Sequence, residues 1–165
     1  MKTAITVVTL LFGSMACAHA GHHHGEHTNV AKTLEAPPDL KRTYEDINRD
    51  YAALVKPIFD KKCADCHSSD VAAPWYARLP ILNSRIESDR SEAKEHLEIS
   101  KGFPFGGHGT PKEDLDAIAE DVSKGSMPPG LYSFAHPFSK LSDDEKKTVL
   151  NWVDNSSKKL MLNPM

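Results

Sequence analysis

Cysteine is scarce: this chain of 165 residues holds three, Cys17, Cys63 and Cys66. A structural zinc site wants four ligands, so Cys63 and Cys66 would have to recruit histidines to complete one. No βαβ pattern flanks the pair, which argues against a thioredoxin-like redox motif. A disulfide between residues three apart in a helical segment has poor geometry. Positive charge is short as well. Lys and Arg number 20 against 23 Asp and Glu, a net charge of −3, which speaks against nucleic acid or an anionic membrane surface as partner. Long apolar runs are missing too; Ala4 to Phe12 is the longest and is too short to span a bilayer. The length suits one domain with a tail.

What is present starts with Cys63-Ala64-Asp65-Cys66-His67. This C-x-x-C-H spacing is the one that attaches haem covalently. Two thiols one helical turn apart can add to the two vinyl groups on one porphyrin edge, and the adjacent imidazole then supplies the proximal iron ligand. A shorter spacer would pull one sulfur off its vinyl. The motif therefore predicts one haem c, bound through Cys63 and Cys66 with His67 on the iron.

Export fits that chemistry. Met1-Lys2, the apolar run and the small-x-small site Ala18-His19-Ala20 make residues 1–20 read as a secretory signal peptide. The mature chain is then expected to be soluble and periplasmic or otherwise exported. A lipid anchor at Cys17 is the rival, but Ser14-Met15-Ala16 fits a lipobox badly. Cleavage leaves 145 residues and, with Lys2 gone, 19 basic against 23 acidic side chains. That balance favours a redox partner with a basic patch. The new terminus would run Gly21-His22-His23-His24. A free amine with His23 in third place can hold copper or nickel in a square-planar nitrogen set, which His22 and His24 adjoin. The plainer and preferred reading is a solvated His-rich tail. Residues 21–42, with Pro37-Pro38, read as tail and linker.

Residues 43–160 read as one helical domain. Tyr44, Ile47, Tyr51, Leu54, Val55, Ile58 and Phe59 recur at helical spacing, with Pro57 expected to kink the stripe. Ser68 to Pro74 reads as a loop. Trp75 and Tyr76 either cover the haem edge or fill the core, and Arg78 or Arg85 could pair with a propionate. Ile86 to Ile99 reads as a charged helix ending in the loop Gly102–Gly109. Thr110-Pro111-Lys112-Glu113 is a capping box with proline at the first helical position, and Gly125 stops that helix. A second box, Ser142 to Glu145, opens the last helix, which should bury Val149, Leu150, Trp152 and Val153.

Between these helices lies Ser126-Met127-Pro128-Pro129. Two prolines keep the segment extended, as a fixed thioether ligand requires, so Met127 leads as sixth iron ligand. His96, His108 and His136 compete for that place.

Cys63 to His67, Trp75-Tyr76, Gly125-x-Met127-Pro128-Pro129, Tyr132, His136-Pro137, Leu141-Ser142 and Trp152 together resemble the haem-binding domain family of exported monohaem c-type cytochromes. The resemblance runs from about Tyr44 to Lys159. It implies an all-α, class I cytochrome c-like fold around one haem, with His67 and Met127 as axial ligands. It also implies a single-electron carrier working between redox proteins, and not an enzyme. A haem-based sensor with a displaceable distal ligand is the alternative. A peroxidase would need an acid–base pair near the iron, and none stands out near Met127. The stretch between His67 and Met127 carries a charged helix and a glycine loop that a minimal cytochrome c would not need.

Overall fold

In the computed structural model, residues 37–162 are described. The expected signal peptide, Cys17 and the histidines of residues 22–24 lie outside them. The first helix, α1 (Pro38–Asp50), starts ahead of the expected Thr43. Its second residue in sequence after Ala36, Pro38, sits where the helix needs no amide donor and where a fixed φ is already helical. Asp39 in the first turn and Arg49 in the last complement the helix dipole. A signal that reads as linker is therefore a helix start.

The expected disturbance at Pro57 takes a definite form. Tyr51–Val55 widens into a π turn, and α2 (Lys56–Lys62) restarts with Pro57 in its first turn. A proline cannot donate to the preceding turn, and the wider turn absorbs the mismatch. The apolar stripe survives through Ile47, Tyr51, Val55 and Phe59, all buried, while Leu54 falls outside it.

α3 (Ala64–His67) is the single turn that carries the cysteine motif. A short 3₁₀ turn (Trp75–Arg78) leads into α4 (Pro80–His96), which begins before Ile86, again with proline at its start. Then come α5 (Pro111–Lys124), the short α6 (Gly130–Ala135) and α7 (Asp143–Leu162). Among the described residues there is no strand, only an antiparallel bridge between Glu98 and Gly106. The fold is all-α.

Both capping boxes form. Glu113 N–H donates to Thr110 Oγ1 at 3.3 Å and Thr110 N–H to Glu113 Oε2 at 2.8 Å. Glu145 N–H and Ser142 Oγ make the same exchange at 3.2 Å, with Ser142 N–H to Glu145 Oε2 at 2.8 Å. Gly125 ends α5 in the left-handed conformation (φ 65°), which a residue with a Cβ adopts only at a cost.

The core lies where α7 packs on α1, the π turn and α5. Leu115, Ile118 and Val122 from α5 meet Val149, Trp152 and Val153 from α7, with Ile99, Phe103 and Phe105 from the loop. Tyr51 stands at the centre, with ring centroids 5.1 Å from Phe105, 5.5 Å from Trp152 and 5.9 Å from Phe59. Trp152 Nε1–H donates to the Ile47 carbonyl at 3.4 Å, so the last helix is fastened to the first where they cross.

Candidate haem site

The motif sits at the exit of α2, and its backbone stays helical: Cys66 and His67 N–H both donate to the Cys63 carbonyl, at 3.1 and 3.0 Å. Cys63 and Cys66 are free thiols, partly buried. Burial, reinforced by Cys66, pushes the Cys63 thiol up to about 12. Burial raises Cys66 as well, against the pull of Arg90. A dithiol redox centre depends on a depressed thiol pKa, and this pair has the opposite. Among the described residues, no group of three or more His, Cys, Asp or Glu side chains could hold a metal ion, which removes the zinc reading there.

His67 is held from both sides. Its Nδ1–H donates to the Leu97 carbonyl at 2.9 Å, and its own carbonyl accepts from Ile99 N–H at 2.9 Å. The first bond fixes the tautomer and leaves Nε2 with its lone pair free for a metal. Sequence reasoning missed this partner because a backbone carbonyl has no residue signature.

Three further braces were equally invisible. Arg90, in a helix that reads as solvated, is 6% exposed. Its guanidinium donates to the Val71 carbonyl at 2.7 Å and to the Asp65 carbonyl, clamping both flanks of His67. Glu98 accepts from Ser69 N–H at 3.1 Å and Ser100 N–H at 2.9 Å. Burial alone would raise its carboxyl, but the Ser69 and Ser100 bonds outweigh it and hold it below the usual range. Lys62 Nζ donates to the carbonyls of Phe138, at 2.5 Å, and Lys140, at 3.1 Å, tying the stretch before α7 to the residue preceding Cys63.

The Met127 segment is tied to the motif by a second anchor. Just downstream, Tyr132 O–H donates to Asp65 Oδ2 at 2.6 Å. Burial and this bond hold the phenol well above its ordinary pKa. The Tyr132 ring stacks on His136 (4.3 Å, 15°), and His136 Nε2 shares a hydrogen bond with Tyr76 O–H at 2.7 Å. Met127 itself is 47% exposed.

Other expected residues fall differently. Trp75 is 75% exposed, so the core-filling reading of that residue fails; it lies edge-on to Tyr76 at 5.8 Å. Arg85 pairs with Asp89 at 2.9 Å and stays exposed. His96 and His108 are bonded to each other at 2.9 Å.

These residues suit a flat, mostly apolar group with polar ends. Trp75, Met127, Phe134 and Phe138 expose large apolar side chains, far from the usual place of such residues. A cleft of about 320 Å³ opens between Lys61, Asp65, Tyr132, His136 and Ser139. In its wall Ser139 Oγ is buried with no hydrogen-bond partner, a donor aimed at no protein acceptor.

An all-helical scaffold that holds C-x-x-C-H on one turn, with the imidazole's Nδ1 committed to a carbonyl, suits a helical haem-binding protein. Residues 26–155 match the haem-binding domain family, and the chain belongs to it. It is also 25% identical over 96 residues to the cytochrome c peroxidase Ccp of Escherichia coli (strain K12). That alignment covers 57% of this chain and 21% of the peroxidase, so the chain spans about a fifth of that protein. No solved structure matches the chain.

Proposed function

We propose that the protein is an exported monohaem c-type cytochrome that passes single electrons between redox proteins. Cys63 and Cys66 hold the haem covalently, and His67 Nε2 is the proximal ligand. The observation that carries this reading is the His67–Leu97 bond of 2.9 Å beside two free thiols one turn apart. It commits one ring nitrogen and presents the other. Bound there, haem supplies a one-electron ferric–ferrous couple.

Met127 is the sixth ligand in this reading. His136 is engaged by Tyr76 and by Tyr132, and the backbone N–H of His108 is pinned to the Glu95 carbonyl at the end of α4. The Met127 segment is instead anchored toward the motif through Tyr132 and Asp65. A thioether with a dry haem raises the potential relative to two imidazoles. The acidic surface of the cleaved chain favours a partner with a basic patch. No helix among the described residues is long and apolar enough to cross a membrane.

The test is expression with haem-attachment machinery, followed by acid–acetone extraction and ferric absorption spectroscopy. Haem should stay with the protein, leave it in the doubly substituted C63S/C66S variant, and show the long-wavelength iron–thioether band that Met127→Ala removes. Complete extraction of haem from the parent would refute covalent attachment. The name of the peroxidase relative suggests a second reading, peroxide turnover. Peroxide reduction or fast CO binding by the untreated ferrous protein would establish an open distal site and displace the carrier reading.

A further inference from the structure

We propose that His96 and His108 form a two-imidazole clip that binds a divalent transition-metal cation, copper(II) foremost, at the carboxyl end of α4. This site is separate from the haem ligands and does not depend on the carrier reading. His108 Nε2 lies 2.9 Å from His96 Nδ1, with ring centroids 4.7 Å apart and the rings 73° from parallel. Both side chains are exposed, so the rings can turn their lone pairs to a shared point without disturbing the core.

The backbone is built to bring the two rings together. His108 N–H donates to the Glu95 carbonyl at 2.9 Å, and Glu98 and Gly106 exchange N–H···O bonds of 3.0 and 2.8 Å. Between these pins, Gly107 takes φ +107°, and a Cβ there would meet the His96 carbonyl at 2.7 Å and the Glu95 carbonyl at 2.8 Å. Only glycine lets the loop approach α4 this closely.

The donor set narrows the ion: imidazole nitrogens suit copper, nickel and zinc rather than magnesium or calcium. Copper(II) stands highest in the divalent affinity order. No third His, Cys, Asp or Glu completes the set among the described residues, so water fills the other positions.

The experiment uses the exported, haem-loaded protein with His22, His23, His24 and His27 replaced by Ala, which removes the competing tail. Copper(II) and zinc(II) chloride are each titrated against a chromophoric chelator, and the copper form is examined by electron paramagnetic resonance. One tightly held copper with splitting from two nitrogens is expected. Losing one direct ligand, in His96→Ala or His108→Ala, should weaken binding by at least about tenfold, the lower end of what losing a mere supporting partner costs. Gly107→Ala should weaken it too while keeping both imidazoles. An unchanged haem spectrum certifies the fold of each variant. Equal copper affinity in parent and single variants, single-nitrogen splitting, or zinc held more tightly than copper would each overturn the proposal.

Discussion

Replacing Tyr132 with phenylalanine removes one oxygen and leaves the ring that stacks on His136 at 4.3 Å. Apolar burial is conserved, so the change isolates the 2.6 Å bond to Asp65 Oδ2. A hydrogen bond to an ionised partner contributes about 1.5–3 kcal/mol. Asp65 is only partly buried, and water can replace the lost donor, so we expect the lower part of that range, about 1.5–2 kcal/mol. That is a factor of roughly 10–30 in the folding equilibrium. Urea unfolding of the haem-loaded protein, followed by far-ultraviolet circular dichroism, reads it directly. Because Tyr132 anchors the chain just beyond Met127, the variant should also bind added imidazole at the iron more readily. Pairing it with Asp65→Asn closes a double-mutant cycle, whose coupling should be about 1 kcal/mol or more. A stability change under about 0.5 kcal/mol with unchanged imidazole affinity would refute the anchor.

Leu115→Ala opens a cavity in a fully buried position and should cost about 2–5 kcal/mol in denaturant unfolding. Thr110→Ala removes the acceptor for Glu113 N–H and should cost about 1 kcal/mol, with α5 amide exchange accelerated. Asp114 is 4% exposed and its Oδ2 has no partner; burial, helped by Glu113, pushes its carboxyl to about 7. Its folded pKa lies above the unfolded one, so the folded state binds more protons between the two. Stability on this account is full below pH about 4 and falls as pH rises to about 7. After discounting for solvent screening the fall is on the order of 1–2 kcal/mol, and Asp114→Asn should flatten it in thermal melts taken across that range.

Elements announced by their own ends were legible. α5 and α7 carry capping boxes in consecutive residues, and both formed as written. The cysteine motif likewise reads as one helical turn, and Ala64–His67 forms one. Elements whose starts rest on proline were not. Pro37-Pro38 carries no polar cap and reads as linker, and Pro80 gives no polar start signal ahead of Ile86, yet both open helices. Burial set by distant partners was hidden as well. Nothing near Arg90 in sequence distinguishes it from the exposed Arg85; it is buried because the loop carbonyls of Asp65 and Val71 fold over it. Trp75 is the opposite case, an aromatic that the helical packing leaves outside, so that of its two readings core filling falls away.

The stretch between His67 and Met127 is where a minimal cytochrome pattern offered no role for a charged helix and a glycine loop. The structure gives both the same work. α4 contributes Arg90 to both flanks of the motif, and the loop after it contributes the Leu97 carbonyl, the Ile99 amide and Glu98. The loop is held in turn by the Glu98–Gly106 bridge and by Phe103 N–H on Asn48 Oδ1 at 2.8 Å. A one-turn helix such as α3 has little stability of its own, since nucleation is costly and its hydrogen bonds are few. His67 therefore keeps its tautomer and direction only because residues some thirty positions downstream impose them. Preorganising an imidazole in this way lowers the cost of binding a metal through Nε2. The added segment is the outer support of His67, and its charge keeps its outward face in water.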